Sequence, residues 1–225
     1  MRTTYLRKPT SRPMTEHTSK AFEQELHVLR QRLTVMGARA AQQLAHAMTA
    51  FVERDDDIAR AVLANDDQID RDESDIDELA LQLLATRQPV ASDLRFLRFA
   101  FKVVVDLERI GDLAVGIAKR VLELNQRPAL ELRTDMANLA SVVQKNLRAA
   151  LAAFVANDAT GARAVVAAYA EIDRLNANTF AVLVAHVATD PTTITRVLPL
   201  TSVCRYLERI GEHVKNFAED VIAAR

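Results

Sequence analysis

The sequence contains little of what interrupts helices or cross-links chains. Its 225 residues include one cysteine, 5 glycines, 6 prolines and no tryptophan. The lone Cys204 excludes an internal disulfide framework and fits a reducing cytoplasm. The few glycines and prolines, together with 49% hydrophobic and 26% charged residues, are typical of a globular protein made of long helices and not of a disordered chain.

Net charge and long apolar runs are also missing. The formal net charge of −1 gives no support to nucleic-acid binding. Apolar runs such as TFAVLVAHVA at 179–188 are shorter than the roughly 18–20 residues that a membrane-spanning helix needs. Residues 1–16 are basic but lack the apolar region of a secretory signal, so we expect them to form a flexible basic arm.

An internal repeat is the most informative feature that is present. The residues LERIGD at 107–112 return as LERIGE at 207–212, 100 residues later. Each copy carries two carboxylates four positions apart, Glu108 with Asp112 and Glu208 with Glu212. Residues at that spacing share one face of a helix. The repeat indicates one structural unit used twice.

Apolar periodicity and helix-end signals predict six helices in two matching halves. The first half has helices over 17–53, from an Asp55 cap to Pro89, and from a Ser92 or Asp93 cap to about 128. The second half has helices over about 130–156, from an Asp158 cap to about 189, and after Pro191, with Pro199 inside the last helix. We therefore predict an all-α protein of two tandem three-helix bundles, 17–128 and 129–225, with antiparallel neighbours.

The helix before the first motif carries further acids. Asp66, Asp70, Glu73 and Asp77 fall on one helical face. Counting outward from the turn at Pro89, with equal rise per residue on both sides, places Asp66 level with Asp112 and Asp70 level with Glu108. The sequence thus predicts that four carboxylates meet across this helical hairpin.

The second half offers a weaker version of the same cluster. Counting from Pro191 sets Asp173 opposite Glu208 and position 169 opposite Glu212. Position 169 is a tyrosine, and Asn176 stands where the first half has Glu73. The second cluster therefore keeps Asp173, Glu208 and Glu212 but carries less charge.

Clustered carboxylates repel one another unless something positive lies between them. Arg109 and Arg209 could supply part of that charge, and a hard cation is the other candidate. Carboxylate oxygens alone favour Mg, Ca, Mn or Fe(III), whereas Zn usually takes His or Cys as well. Gly111 and Gly211 cost helix stability, and their recurrence suggests that a neighbouring chain or ligand comes close there.

Enzymatic chemistry has little support in the sequence. A ferritin-like di-iron oxidase would carry Glu-x-x-His motifs, and none of the five histidines has a glutamate three residues before it. We find no nucleophile–base pair and no glycine-rich loop for phosphates. The open alternative is a metal-free helical adaptor that binds only other proteins.

Four segments resemble a known family. FEQEL at 22–26, RQPVASDLR at 87–95, DLERIGDLA at 106–114 and YLERIGEHVKN at 206–216 are similar to the PhoU family of accessory regulators of bacterial phosphate-specific transport. The resemblance runs from about residue 18 to the C-terminus. It implies two three-helix bundles, a homodimer or larger oligomer, and surface metal clusters (Mg, Mn, Fe or Zn) held by acidic motifs. The motif positions are Asp66 with Asp70, Glu108 with Asp112, and Glu208 with Glu212, whereas Tyr169 with Asp173 departs from the pattern.

The resemblance also implies a regulatory function. Similar proteins couple the phosphate ABC transporter, through its ATPase, to a membrane sensor histidine kinase, restrain uptake, and keep the phosphate-starvation response off when phosphate is plentiful. We therefore expect a cytoplasmic, non-enzymatic regulator that meets the membrane only through these partners.

Overall fold

The computed structural model of the protein describes residues 14–87, 89–130, 132 and 134–224. The described residues form seven α-helices and a short 3₁₀ turn at Pro191–Thr193: α1 (Met14–Glu53), α2 (Asp56–Ala64), α3 (Asp67–Thr86), α4 (Ala91–Asn125), α5 (Met136–Val155), α6 (Ala159–Thr189) and α7 (Ile194–Ala223). Together α2 and α3 occupy the place of one predicted helix, so the all-α arrangement in two halves is confirmed. Because α1 begins at Met14, only residues 1–13 of the predicted arm lie outside the described residues.

Each half ends its first helix in the same way. Arg54 after α1 and Asn157 after α5 adopt left-handed backbone conformations, with φ of 55° and 50°. The next residue caps the following helix: Asp55 accepts a hydrogen bond from the amide of Asp57 at 2.8 Å, and Asp158 accepts one from the amide of Thr160 at 2.9 Å. Both predicted caps are confirmed.

The second predicted helix is interrupted at Asn65. The side-chain amide of Asn65 donates a hydrogen bond to the carbonyl oxygen of Ala61. The backbone N–H of Asn65 donates to the carbonyl oxygen of Val62, three residues earlier, where an α-helix would use the carbonyl four residues earlier. A side-chain amide that competes for backbone carbonyls in this way favours a helix end. The matching part of the second half, where Ala168 replaces Asn65, runs unbroken through α6.

One continuous core joins the two halves. Phe99 of α4 stacks on Phe154 of α5 with ring centroids 5.2 Å apart, and Phe217 of α7 meets Phe154 edge-on at 5.9 Å. Helices α4 and α7 pack antiparallel, and Lys102 Nζ lies 2.6 Å from Asp220 Oδ1 across their contact. None of the described helices has the length and apolar character needed to cross a membrane.

The repeated glycines mark the closest approach of two helices in each hairpin. A Cβ atom on Gly111 would lie 2.7 Å from Ile69 Cδ1, and one on Gly211 would lie 2.9 Å from Ile172 Cγ2. The close approach predicted at these positions is therefore made by an isoleucine of the facing helix, α3 or α6. These contacts fix how each hairpin is aligned, and so which acids meet.

Candidate metal site

Three carboxylates meet where α3 begins against α4. Asp66 directly precedes α3, Asp70 lies in its first turn, and Asp112 follows Gly111 on α4. One oxygen from each carboxylate lies within 4.8 Å of the other two, and among the described residues no second group of His, Cys, Asp or Glu side chains is as tight. This set is named the first-repeat triad. Asp66 is half-buried, whereas Asp70 and Asp112 are exposed.

The triad has an unfavourable concentration of negative charge. Burial raises the pKa of Asp66 above its ordinary value, and the carboxylates of Asp70 and Asp112 raise it further, while the Lys119 ammonium opposes them. A neighbouring acid, Glu73, has its pKa raised by burial and then by Asp77 and Asp70. These shifts mean that the site favours any species that adds positive charge.

Glu108 stands beside the triad, but not in the predicted pairing. Its side chain is only 15% exposed, and burial followed by the charge of Asp112 raises its pKa to about 7. Glu73 raises that pKa further, so Glu73 and not Asp70 is the α3 acid that most affects Glu108. The pairing of Asp70 with Glu108 drawn from equal counting is therefore corrected. Counting from Pro89 also places Asp67 opposite Gly111, whereas in the structure Ile69 lies there.

One arginine neutralises part of this charge. Arg109 Nε lies 3.3 Å from Glu108 Oε2, and Arg109 Nη1 lies 3.2 Å from Asp112 Oδ2. The guanidinium is about half exposed, so solvent screens its effect. Burial and the surrounding acids together outweigh it, because the pKa of Glu108 is still raised.

The donor atoms of this site fit a hard cation. Asp66, Asp70 and Asp112 offer oxygen ligands at a mutual spacing that one ion could span, and Glu108 lies next to Asp112. The absence of His and Cys from this triad makes its chemistry suit Mg, Mn, Ca or Fe better than Zn. Bound there, a cation would supply the positive charge that the carboxylates lack.

The second-repeat cluster is arranged differently. The hydroxyl of Tyr169 donates a hydrogen bond to Glu208 Oε1 at 2.9 Å, and the Lys215 ammonium lies 5.3 Å from the centre of the Tyr169 ring. Burial and this hydrogen bond raise the pKa of the Tyr169 hydroxyl, as do the charges of Glu212 and Asp173. Asp173, Glu208 and Glu212 thus surround Tyr169 without forming a triad as tight as the first. Metal binding by these three acids stays a prediction.

Two polar residues near this cluster have partners that the sequence did not predict. The Cys204 thiol donates a hydrogen bond to Asn176 Oδ1 at 2.9 Å. Asn176, which takes the place of Glu73 in the second repeat, therefore already has a hydrogen-bond partner. Burial raises the pKa of Cys204 to about 11. His213, next to Glu212, contacts Asp106 at 2.8 Å and not the acidic cluster. No spacing in the sequence signals either contact, because both depend on how separate helices pack.

Comparisons with known proteins agree with this architecture. A family model described as the PhoU domain matches residues 33–121 and 136–221. The phosphate-specific transport system accessory protein PhoU homolog of Pseudomonas aeruginosa is 39% identical over 214 residues, covering 93% of this chain and 87% of that protein. The accessory protein PhoU of Escherichia coli is 32% identical over 206 residues, covering 92% and 86%.

Solved structures show the same fold. The crystal structure of PhoU from Pseudomonas aeruginosa matches with a TM-score of 0.88 at 38% identity, covering 90% of this chain and 98% of that chain. The phosphate transport system regulatory protein PhoU from Streptococcus pneumoniae matches with a TM-score of 0.82 at 26% identity, covering 90% and 96%.

Two tandem copies of one helical unit, joined through one core, define an all-helical bundle protein with an internal repeat. Since the PhoU domain matches both copies, the chain belongs to the PhoU family, which consists of accessory regulatory proteins of phosphate transport and not of enzymes. The family resemblance drawn from the four sequence segments is confirmed.

Proposed function

We propose that the protein regulates phosphate uptake and the phosphate-starvation response. In this proposal it acts with the ATPase of the phosphate ABC transporter and with a membrane sensor histidine kinase, and it represses the response when phosphate is plentiful. The observation that carries the proposal is the match over nearly the whole chain to proteins named as accessory proteins of phosphate-specific transport. The protein works in the cytoplasm as a homodimer and meets the membrane through these partners.

A deletion strain tests the regulatory function. Without the gene, a reporter driven by a phosphate-starvation promoter should stay active in phosphate-rich medium, and a plasmid copy of the wild-type gene should restore repression. Normal repression in the deletion strain would refute the function while leaving the fold untouched.

The first-repeat triad supports a metal-dependent form of this function. The three clustered carboxylates and the raised pKa of Glu108 support a cation site, because a bound ion would supply the positive charge that these acids lack. In this proposal Asp66, Asp70 and Asp112 bind the ion, Glu108 assists, and Asp173, Glu208 and Glu212 form a second, weaker site.

A metal-free adaptor is the second candidate. Arg109 already contacts both Glu108 and Asp112, which is how an acidic face can persist without an ion. Elemental analysis of protein purified without a chelating column distinguishes the two. A stoichiometric metal supports the first candidate, and its absence after growth in metal-supplemented medium supports the second.

A further inference from the structure

A polar cavity of about 230 Å³ lies between α1 and the turn that separates α2 from α3. Among its described lining residues are Arg39, Gln42, Gln43, His46, Asn65 and Gln68, and none of the described lining residues is a carboxylate. Its volume is below the ~300–1,000 Å³ of sites for drug-sized ligands. The cavity therefore suits several water molecules or one small ion.

Gln43 is the unusual residue of this lining. It is 7% exposed, and its Nε2 has no hydrogen-bond partner. A buried donor without an acceptor destabilises the folded protein. Gln43 also lines the cavity, so an acceptor bound there becomes its partner once the amide turns toward the cavity.

The second repeat contains the same groove with different chemistry. Between α5 and α6, Asn146 takes the place of Gln43, just as Ile172 takes that of Ile69. The Asn146 amide is satisfied internally, because its Nδ2 donates to the carbonyl oxygen of Val165 at 3.2 Å. Ala149 stands where the first repeat has His46, so this groove has lost a polar donor.

The charge of the two grooves differs as well. The lining of the second groove includes the carboxylates of Asp158 and Glu171. In the first cavity, Arg39 is held by Asp72, whose two carboxylate oxygens both lie 2.7 Å from Arg39 Nη1, and the guanidinium carries further N–H donors. The first cavity thus combines a guanidinium whose charge Asp72 balances with a buried, unpaired amide donor. The second groove has Lys145 beside its two carboxylates, and none of its described lining residues offers such an unpaired donor.

We propose that the first-repeat cavity binds a small oxyanion of the size of inorganic phosphate or sulfate. The oxyanion accepts a hydrogen bond from Gln43 Nε2 and further bonds from Arg39 and His46, whose N–H groups are donors suited to anionic oxygens. The identification of phosphate as the natural oxyanion rests on the proposed function. The proposal that an oxyanion binds in this cavity does not rest on it.

Calorimetric titration with inorganic phosphate, and separately with sulfate, tests the site. The full-length protein is first dialysed against a chelator, so that phosphate bound through a metal at the first-repeat triad does not count. We expect saturable binding at one site per chain. The double substitution Gln43→Asn with His46→Ala gives the cavity the second repeat's residues, and it should weaken binding at least tenfold while the circular dichroism spectrum stays unchanged. Lys145→Gln, which removes the cation of the second groove, should leave binding as in the wild type.

A second variant guards against a loss of binding caused by poor folding. Gln43→Met keeps most of the volume and removes the unpaired donor, so without anion its Tm should exceed that of the wild type. Added phosphate should raise the Tm of the wild type and leave that of this variant unchanged. If either anion binds to the wild type and Gln43→Met abolishes that binding, the result supports the site. If neither anion binds, or if Lys145→Gln weakens binding equally, the cavity holds water only and the inference is overturned, whatever the reporter assay of the deletion strain shows.

Discussion

His213 Nδ1 of α7 lies 2.8 Å from Asp106 Oδ1 of α4, and both side chains are largely buried, at 20% and 12% exposure. This contact joins the last helix of one repeat to the last helix of the other. With the packing of Phe99 against Phe217, it joins the two repeats through one continuous core.

Removal of the Asp106 carboxylate should destabilise the protein. In Asp106→Ala the buried imidazole of His213 loses its partner, and we expect a loss of about 1–3 kcal/mol in the free energy of unfolding, measured with urea. Glu219→Ala is the control, because it removes only an exposed partner of Lys215 at 3.8 Å and should cost less than about 1 kcal/mol. Equal losses in the two variants would contradict a structural role for this contact.

Gly111→Ala should destabilise the protein less than Gly211→Ala, and alanine favours helix by about 1 kcal/mol over glycine at both positions. Overpacking costs about 1–3 kcal/mol where the clashing atom cannot move aside, as with Ile172 Cγ2 at 2.9 Å from the new Cβ at Gly211. The new Cβ at Gly111 would lie 2.7 Å from Ile69 Cδ1, which ends a flexible side chain and can shift. Adding Ile69→Val removes that methyl group and leaves 3.4 Å to Cγ2, so the double variant should recover most of the loss.

The matching pair in the second repeat serves as the control for this rescue. Gly211→Ala meets Ile172 Cγ2 at 2.9 Å, an atom that Ile172→Val retains, so recovery there should be smaller. Thermal unfolding of all four variants checks both expectations. Equal recovery in the two repeats would show that these isoleucine contacts do not limit the helix spacing.

Asp70→Asn with Asp112→Asn should act in opposite directions with and without metal. In chelator-treated protein the double change relieves repulsion at the first-repeat triad and should raise the Tm. With added Mn²⁺ the wild type should gain stability and the variant should not, because an ion that binds only the folded state stabilises it. A Tm that rises equally in both proteins on adding Mn²⁺ would place the metal elsewhere.

Tyr169→Asp should strengthen metal binding at the second-repeat cluster. The substitution removes the hydroxyl that donates to Glu208 and restores a carboxylate where the first repeat has Asp66. Since ligand charge tunes affinity at oxygen sites, we expect a gain of about tenfold or more at the weaker sites in calorimetric titration with Mn²⁺. Tyr169→Phe, which removes only the hydroxyl, is the matched control. A single class of equal sites in the wild type, unchanged by Tyr169→Asp, would refute the asymmetry.

Glu108 should make the metal-free protein less stable as the pH rises. Its folded pKa of about 7 lies above the ordinary 4.5, so folding favours the protonated carboxyl. The stability that this protonation contributes is fully present below pH 4.5 and is lost as the pH rises through 7. Glu108→Gln should therefore lose less stability than the wild type between about pH 5 and pH 8, by an amount on the order of 1 kcal/mol or roughly 2–4 °C in Tm. The exposed-site variant Glu171→Gln should follow the wild type.

Much of the fold could be predicted because its signals are local. The caps at Asp55 and Asp158 and the break at Pro191 act within a few residues, so the sequence placed most helix ends close to where the structure has them. The repeat of LERIGD as LERIGE identified the acids of α4 and α7. The domain limits 17–128 and 129–225 stay predictions, although the two PhoU-domain matches fall within them.

The alignment of α3 against α4 was decided by tertiary packing alone. Counting from Pro89 assumed a symmetric turn and an unbroken helix, whereas Ile69 packs into the space that Gly111 leaves. Glu73 is consequently the α3 acid that raises the pKa of Glu108. The contact of His213 with Asp106 and the unpaired amide of Gln43 were equally invisible in the sequence. Periodicity tells which face of a helix is buried, but it does not tell which residue of another helix lies opposite. That choice depends on the side-chain volumes that must fit together in the core.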